Sequence, residues 1–432
     1  MLIDFTIKNF RSIKDEQTLS LVASDSAGDL LDNRIKVPGE NFRLLPSAII
    51  YGANASGKSN LLRALQELKL MIMFSHKLSK DQKLFFFDPF RLDKQNMNNP
   101  SEFEIEFIAN DSIRYLYNVK YSEREIEHES LFYYPKKQKT KLYIRNQGKG
   151  IDFGVQLKGH KKQVENILLP NQLYLSVAVN NNLVQLDPVY QYFSEYLVTV
   201  LSSNSWNHID VLLSNMIIPS GAFLAENQGL KNEVKKYLQI ADIDIDDIIL
   251  KEREVTSEPY KDWDLPQDVI ANLNKSLKYV TYLRHHLVDD GGYIDFNIND
   301  ESDGTQRLFK LSQAIIPVLK EGGILIMDEI DQSLHTMLSE FIISEFNNPE
   351  RNPHGAQIIA TTHDISLMKP ENFRRDQVWF TEKEKSGATK IYSLDEYDKD
   401  KVRGNTPYYK WYLEGRFDAI PRLNISLLHE RK

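Results

Sequence analysis

Apolar and polar residues alternate along LIDFTIKNF at residues 2–10, the period of a strand with one face buried and one wet. LLPSAIIYG at 44–52 is a short apolar run that stops at glycine, and NLLRALQELKLMIMF at 60–74 repeats leucine at helical spacing. Together they predict strand, glycine-bounded loop, helix. From Leu84 to about Val179 the pattern predicts short strands: FFFDPF, SEFEIEFIA, SIRYLYNVKY, HESLFYY, TKLYIRN and QLYLSVAV, set apart by Asn, Asp, Gly and Lys turns. An antiparallel layer follows from that spacing. Between about Asn181 and Arg284 the expected helices are SEYLVTVLSS, LKNEVKKYLQIA and DVIANLNKSLKYV, with no sustained heptads. Beyond Gly292 come a helix (TQRLFKLSQAIIPVLK), a strand (GILIMDE), a helix (SLHTMLSEFIISEF) and a strand (AQIIATTHD), the alternation of a mainly parallel sheet. The expected division is 1–180 as an N-terminal lobe, 181–285 as a helical insertion and 286–432 as a C-terminal lobe with a helical tail.

The first loop carries chemistry. Gly52-Ala53-Asn54-Ala55-Ser56-Gly57-Lys58-Ser59 fits G-x-x-x-x-G-K-[ST], in the required place between a strand and a helix. Glycines at both ends let the backbone curl its N–H groups around phosphate, and the helix start adds a positive dipole end. Lys58 is then the β,γ-phosphate cation and Ser59 the hydroxyl that ligates Mg²⁺, which makes ATP the expected nucleotide. The run Ile324–Met327 ends in Asp328 and Glu329. Alone it is an ordinary strand end. Beside a P-loop it becomes the expected Walker B, with Asp328 holding Mg²⁺ and Glu329 as general base to the attacking water. His363, in Thr361-Thr362-His363-Asp364, is the candidate γ-phosphate sensor and third catalytic residue.

These motifs resemble the ABC-type ATPases, in the branch that holds SMC proteins, RecF-like repair ATPases and bacterial AAA-labelled defence ATPases. NFRSI at 9–13 resembles the strand whose Arg11 and Ser12 lean over the nucleotide, and YGANASGKSNLL at 51–62 is that branch's P-loop wording. The resemblance implies nucleotide contacts from Gly52, Asn54, Ala55, Ser56, Gly57, Lys58, Ser59 and Asn60. Glu301 to Arg307 resembles the ABC signature, LIMDEIDQSLH resembles Walker B and a D-loop around Asp331, and TTHD the His switch. Ser302, Gly304, Thr305 and Gln306 would then serve the ATP held by a second copy, giving a homodimer with nucleotide sandwiched in trans. Asp303 stands where the family has the first of two glycines, which leaves the loop's geometry open. The implied fold is α/β: an ABC-type ATPase head with a mainly parallel P-loop sheet, an antiparallel β layer and a helical insertion.

A narrower likeness is to the stand-alone ATPases of two-gene abortive-infection systems of RloA or AbiL type. It implies an ATP-hydrolysing regulator of a separately encoded, nuclease-like effector in anti-phage defence. The alternative is a RecF-like repair or loading ATPase that binds DNA itself.

Composition changes this picture little. The 432 residues are 41% hydrophobic and 26% charged, with a formal charge of −8 and no cysteine, which excludes disulfides, thiolate metal sites and cysteine nucleophiles. No run of about 18 apolar residues occurs and the start lacks a signal sequence, so a cytoplasmic protein without membrane contact is expected. The stretch Pro135–Gly150 holds Lys136, Lys137, Lys139, Lys141, Arg145 and Lys149 around Tyr143, and reads either as a solvated hairpin or as a nucleic-acid contact. Asp242, Asp244, Asp246 and Asp247 read as one wet face of a strand or turn, His285 and His286 as structural, and Phe85, Phe86 and Phe87 as core. The five aromatics between Tyr408 and Phe417 read as core packing or, beside Arg416, as an interface anchor.

Overall fold

The computed structural model describes residues 1–25, 32–84, 86–201, 221–254, 274, 278–288, 291–397 and 407–420. The chain forms two compact units: Met1–Ser194 with Ile359–Lys432, and Glu195–Ile358.

The first unit contains the antiparallel layer. Seven strands lie in the order Asp152–Phe153, Thr140–Asn146, Ile126–Tyr133, Arg114–Tyr121, Ser101–Ile108, Leu2–Lys8 and Gln17–Ser20, every neighbour antiparallel. Register carries one apolar row across five of them, Phe5 to Ile105 to Tyr117 to Leu131 to Tyr143, and all five side chains are fully buried. Burial of such side chains stabilises by roughly 1.5–3 kcal/mol each, so this row fixes the register. The alternating strand Leu2–Lys8 belongs here, as its half-wet pattern requires.

A second sheet in this unit places the strand ending at Thr361 beside Ser47–Gly52, then Val378–Lys383, then Thr389–Ser393. Val378–Lys383 runs parallel to Ser47–Gly52, and Thr389–Ser393 returns antiparallel. Tyr412 stacks on Phe380 at 5.8 Å and 10°, and Phe417 packs on the same ring at 5.4 Å. Tyr408, Tyr412 and Phe417 are buried, so three of the tail's five rings close the core. Arg416 lies over the Trp411 ring at 4.5 Å and pairs with Glu414.

Two expectations for this unit are corrected. QLYLSVAV is not a strand: Tyr174–Asn180 is helical, because the buried carboxylate of Glu129 accepts from the amides of Tyr174 (2.6 Å) and Leu175 (3.0 Å) and so caps a helical turn. FFFDPF forms no strand among the described residues; Phe86 is buried in a turn, Phe87 sits edge-on to Tyr121, and Phe85 lies outside the description.

In the second unit Leu197–Val200 pairs in parallel with Ile324–Met327. SEYLVTVLSS therefore supplies a strand where a helix was expected. Its Val-Thr-Val core is β-branched, and four apolar residues are too few for periodicity to decide. LKNEVKKYLQIA lies in the helix Gln228–Ile240, whose cap, the Asn227 side chain, accepts from Leu230 N at 3.0 Å. Most of DVIANLNKSLKYV lies outside the described residues, and its last two residues, Tyr279 and Val280, begin the middle strand of a small antiparallel sheet (Asp247–Glu252, Tyr279–His286, Tyr293–Asn297). Helices Asp303–Glu321 and Thr336–Asn347 flank the strand Ile324–Met327 in sequence. Among the described residues no helix is long and apolar enough to cross a membrane.

Candidate nucleotide site

The P-loop lies in the first unit. The strand Ser47–Gly52 is buried throughout, and the helix Lys58–Phe74 starts at a left-handed Gly57, φ +110°. A Cβ on Gly57 would lie 2.1 Å from Thr389 Oγ1, and one on Gly52 would lie 2.5 Å from the Thr381 carbonyl. Both glycines are thus required by close approach as well as by backbone angle. Ala55 is left-handed too, φ +61°, and the apex Asn54–Ala55 is exposed. Lys58 is buried, and its ammonium turns back over the loop to donate to Gly52 O (2.7 Å) and Ala53 O (3.2 Å). Ser56 Oγ meets Thr381 Oγ1 at 2.6 Å, and Ser59 is half-buried at the helix start.

The turn Phe10–Ile13 reaches this loop. Ser12 Oγ accepts from Asn60 Nδ2 at 2.7 Å, and Ser12 O accepts from Thr389 N at 2.7 Å. Arg11, left-handed at φ +53°, pairs with Asp88 at 3.2 Å and its amide donates to the Asp88 carbonyl. Thr362 N donates to Ile50 O at 3.2 Å, so the His-switch segment joins the P-loop strand. His363 itself is exposed, and Asp364 caps the next turn through Ser366 N and Oγ. The structure therefore brings Ser12, the P-loop, Asn60 and the Thr362 end of the switch into one hydrogen-bonded neighbourhood.

The second unit holds the other candidates. Asp328 is buried, with its amide bonded to Val200 O at 3.1 Å, and Glu329 is half-buried and left-handed, φ +51°. Ser302 is the N-cap of the helix Asp303–Glu321: its Oγ accepts from Thr305 N (3.2 Å) and shares a bond with Thr305 Oγ1 (2.9 Å). Gln306 Nε2 closes the loop onto Glu301 O at 2.8 Å. A Cβ on Gly304 would stand 3.1 Å from Ser333 O, a tight approach to the turn that follows Asp331. Asp303 occupies the first helical turn, where a carboxylate suits the dipole.

Sequence reasoning gave no role to Thr381 and Thr389, and none to Arg307 beyond its place in the signature. Arg307 reaches from the signature helix to Asp328 O (3.5 Å); burial pushes its pKa down, against the opposing pull of Glu329 and Asp328. The basic stretch 135–150 is corrected in part. Arg145 is buried, facing Glu129 at 3.7 Å and donating to the carbonyls of Leu169, Pro170 and Gln172, while Tyr143 is fully buried with its hydroxyl on Glu129. Lys141 pairs with Asp152, and Lys139 covers the Phe132 ring. Asp246 and Glu301 partner His286 and His285, and no metal-binding cluster occurs among the described residues.

No curated protein matches the sequence. Among solved structures, an SMC head bound to the C-terminal winged-helix domain of ScpA has 13% identity and a TM-score of 0.46 over 93% of this chain and 99% of that one. A Pyrococcus furiosus Smc head with an extended coiled coil, bound to a ScpA C-terminal domain, has 12% identity and a TM-score of 0.43 over 91% and 97%. The recombination mediator RecF bound to an ATP analogue has 14% identity and a TM-score of 0.36 over 90% and 98%. The profile of one family, described as AAA domain, putative AbiEii toxin, type IV toxin–antitoxin system, matches residues 47–158 and 185–369, more than half of the chain and a span that includes Gly52–Ser59, Glu301–Arg307, Ile324–Glu329 and Thr361–Asp364. The chain belongs to that AAA family.

Proposed function

We propose that the protein binds and hydrolyses ATP with Mg²⁺, pairs with a second copy around the nucleotide, and regulates a separately encoded effector in anti-phage defence. The observation that carries the nucleotide reading is the curled loop Gly52–Ser59, where two glycines admit no side chain and the Lys58 ammonium is held over the loop's own carbonyls. Phosphate oxygens replace those carbonyls as partners of the cation, and amides at the helix start donate to the same oxygens.

In this reading Ser59 and Asp328 would hold Mg²⁺, which would supply charge neutralisation to the phosphates. Glu329 takes a proton from water as the water oxygen bonds to the γ-phosphorus, and the bond from that phosphorus to the bridging oxygen breaks to leave ADP and phosphate. His363 orients the γ-phosphate. Exposed Ser302, at the N-terminus of a long helix, offers a donor to the ATP of a second copy, with Gly304, Thr305 and Gln306 shaping the loop.

The family's toxin–antitoxin description supports a paired-gene role, and the narrower RloA or AbiL likeness points the same way. The DNA-binding alternative loses Arg145 and Tyr143 as surface contacts, since both are committed to Glu129. The test is phosphate release by the purified protein, with and without DNA, followed by co-elution with its adjacent gene product. Turnover without DNA stimulation and co-elution with the neighbour fit this reading. Absence of turnover removes the enzyme assignment, and turnover that depends on DNA favours the RecF-like alternative.

A further inference from the structure

Two hydrogen bonds from different elements meet on Glu301. Its carbonyl accepts from Gln306 Nε2, on the helix Asp303–Glu321, at 2.8 Å. Its carboxylate Oε1 lies 2.9 Å from His285 Nε2, on the middle strand Tyr279–His286 of the small sheet. A carboxylate only accepts, so the proton of that bond is on His285 Nε2. Neighbours set the ring: Phe296 meets it edge-on at 5.3 Å and 63°, and Arg284 grips Asp295 through two bonds of 2.8 and 3.3 Å. The strand Tyr293–Asn297 runs through the short turn Ile298–Asp300 straight into Glu301, whose own amide reaches Ile298 O at only 3.3 Å. That turn by itself holds Glu301 weakly. The His285 and Glu301 side chains are 22% and 13% exposed, whereas Ser302 and Asp303, next along the chain, are exposed. The outer end of the loop is thus carried by an inner residue fastened on two sides.

We propose that His285 is a positioning residue for the pairing of two copies around ATP: its Nε2–H holds the Glu301 carboxylate, so that Ser302 stands at a fixed place on the exposed loop. The proposal rests on the reading in which ATP is sandwiched between two copies, and deepens it. It also gives His285 a part where the sequence suggested a structural one. Ser302 serves a partner's nucleotide best as a donor already in place, since a loop ordered only at the moment of contact lowers the association constant by the cost of that ordering. Loss of the His285 bond therefore weakens pairing and leaves the first contact with ATP, made in this reading by Gly52–Ser59, as it was.

The experiment compares the full chain with His285→Ala, His285→Gln, Glu301→Ala and the double variant His285→Ala/Glu301→Ala. Nucleotide affinity is read with a fluorescent methylanthraniloyl ATP and magnesium chloride at protein concentrations too low for pairing. Pairing is read by sedimentation equilibrium with the β,γ-imido analogue of ATP and magnesium chloride, and folding by thermal melting. His285→Ala should bind the fluorescent nucleotide within about twofold of wild type and raise the dimer dissociation constant about ten- to hundredfold, since each dimer loses a partly exposed hydrogen bond to a charged group twice. His285→Gln, which can put an amide N–H near the place of Nε2, should return pairing to within about fivefold of wild type. Glu301→Ala should match His285→Ala, and the double variant should be no weaker than either, because one and the same bond is lost in all three. Wild-type pairing in His285→Ala, a His285→Gln as weak as the alanine variant, or deficits that multiply in the double variant would each overturn the proposal. So would a loss of nucleotide affinity as large as the loss of pairing, the mark of general damage to the fold. Should His285→Ala fail to fold, wild-type pairing in Glu301→Ala overturns it equally. A wild-type chain that stays monomeric with the analogue is a different failure, that of the sandwich reading itself, and the proposal falls with it.

Discussion

The Lys58 ammonium donates to the Gly52 carbonyl, six residues back along its own loop, at 2.7 Å. The cation is thus already held at the mouth of the loop. Lys58→Ala should remove ATP binding, because the phosphates lose charge-assisted bonds worth about 3 kcal/mol or more, on the order of a hundredfold in affinity. Nucleotide titration checks this, and unaltered affinity would remove the P-loop assignment.

Glu329→Gln keeps the side chain's size and its capacity to hydrogen-bond to water but gives up the basic oxygen. ATP should bind as in wild type while turnover drops by about 10²–10⁴. Size-exclusion chromatography with ATP should then show a dimer accumulating. Wild-type turnover in this variant places the base at another residue.

Ser302→Arg puts a bulky cation at an exposed helix N-cap. Loss of the cap costs about 1 kcal/mol, a small drop in melting temperature. The larger effect is on pairing: ATP binding should survive, and dimerisation and turnover should disappear. Mixed with Lys58→Ala, it leaves one intact P-loop facing one intact signature, so turnover should reappear in the mixture. A mixture as inactive as both parents argues against sites shared between two chains.

Lys69 is 1% exposed on the P-loop helix, and burial holds its pKa down at about 7. Between that value and the ordinary 10.5, the unfolded chain binds a proton that the native one has released. Stability contributed by this group therefore rises with pH across that window, and the penalty is full below it. Urea midpoints at pH 7 and pH 9.5 should rise more for wild type than for Lys69→Met. An equal change in both proteins would show that Lys69 does not carry the slope.

How far the sequence could be read depended on the range of each interaction. The P-loop was legible because curling a backbone around phosphate dictates glycine, lysine and serine within eight consecutive positions, and the adjoining strand and helix follow from local periodicity. Thr381 and Thr389 were invisible by the same logic: they meet Ser56 and Ser12 across 325 and 377 residues, and a threonine in a hairpin is otherwise unremarked. Arg145 was misjudged as part of a solvated run because its partner Glu129 lies on the neighbouring strand. The same carboxylate turned an expected strand into the helix Tyr174–Asn180, a tertiary contact overriding local preference. The strand Leu197–Val200 was missed because its identity comes from a partner strand more than a hundred residues away.

The division of the chain also sets an order of assembly on the ribosome. The unit Glu195–Ile358 is continuous and can collapse as soon as it has emerged, whereas the unit carrying the P-loop needs both Met1–Ser194 and the residues from Ile359 onward. Thr389, which joins the Ser56 carbonyl, is among the late arrivals. A nascent chain therefore displays Gly52–Ser59 long before it can hold the loop in its final curve. Ribosome-bound chains that stop short of Thr389 therefore carry the loop without this contact to its Ser56 carbonyl.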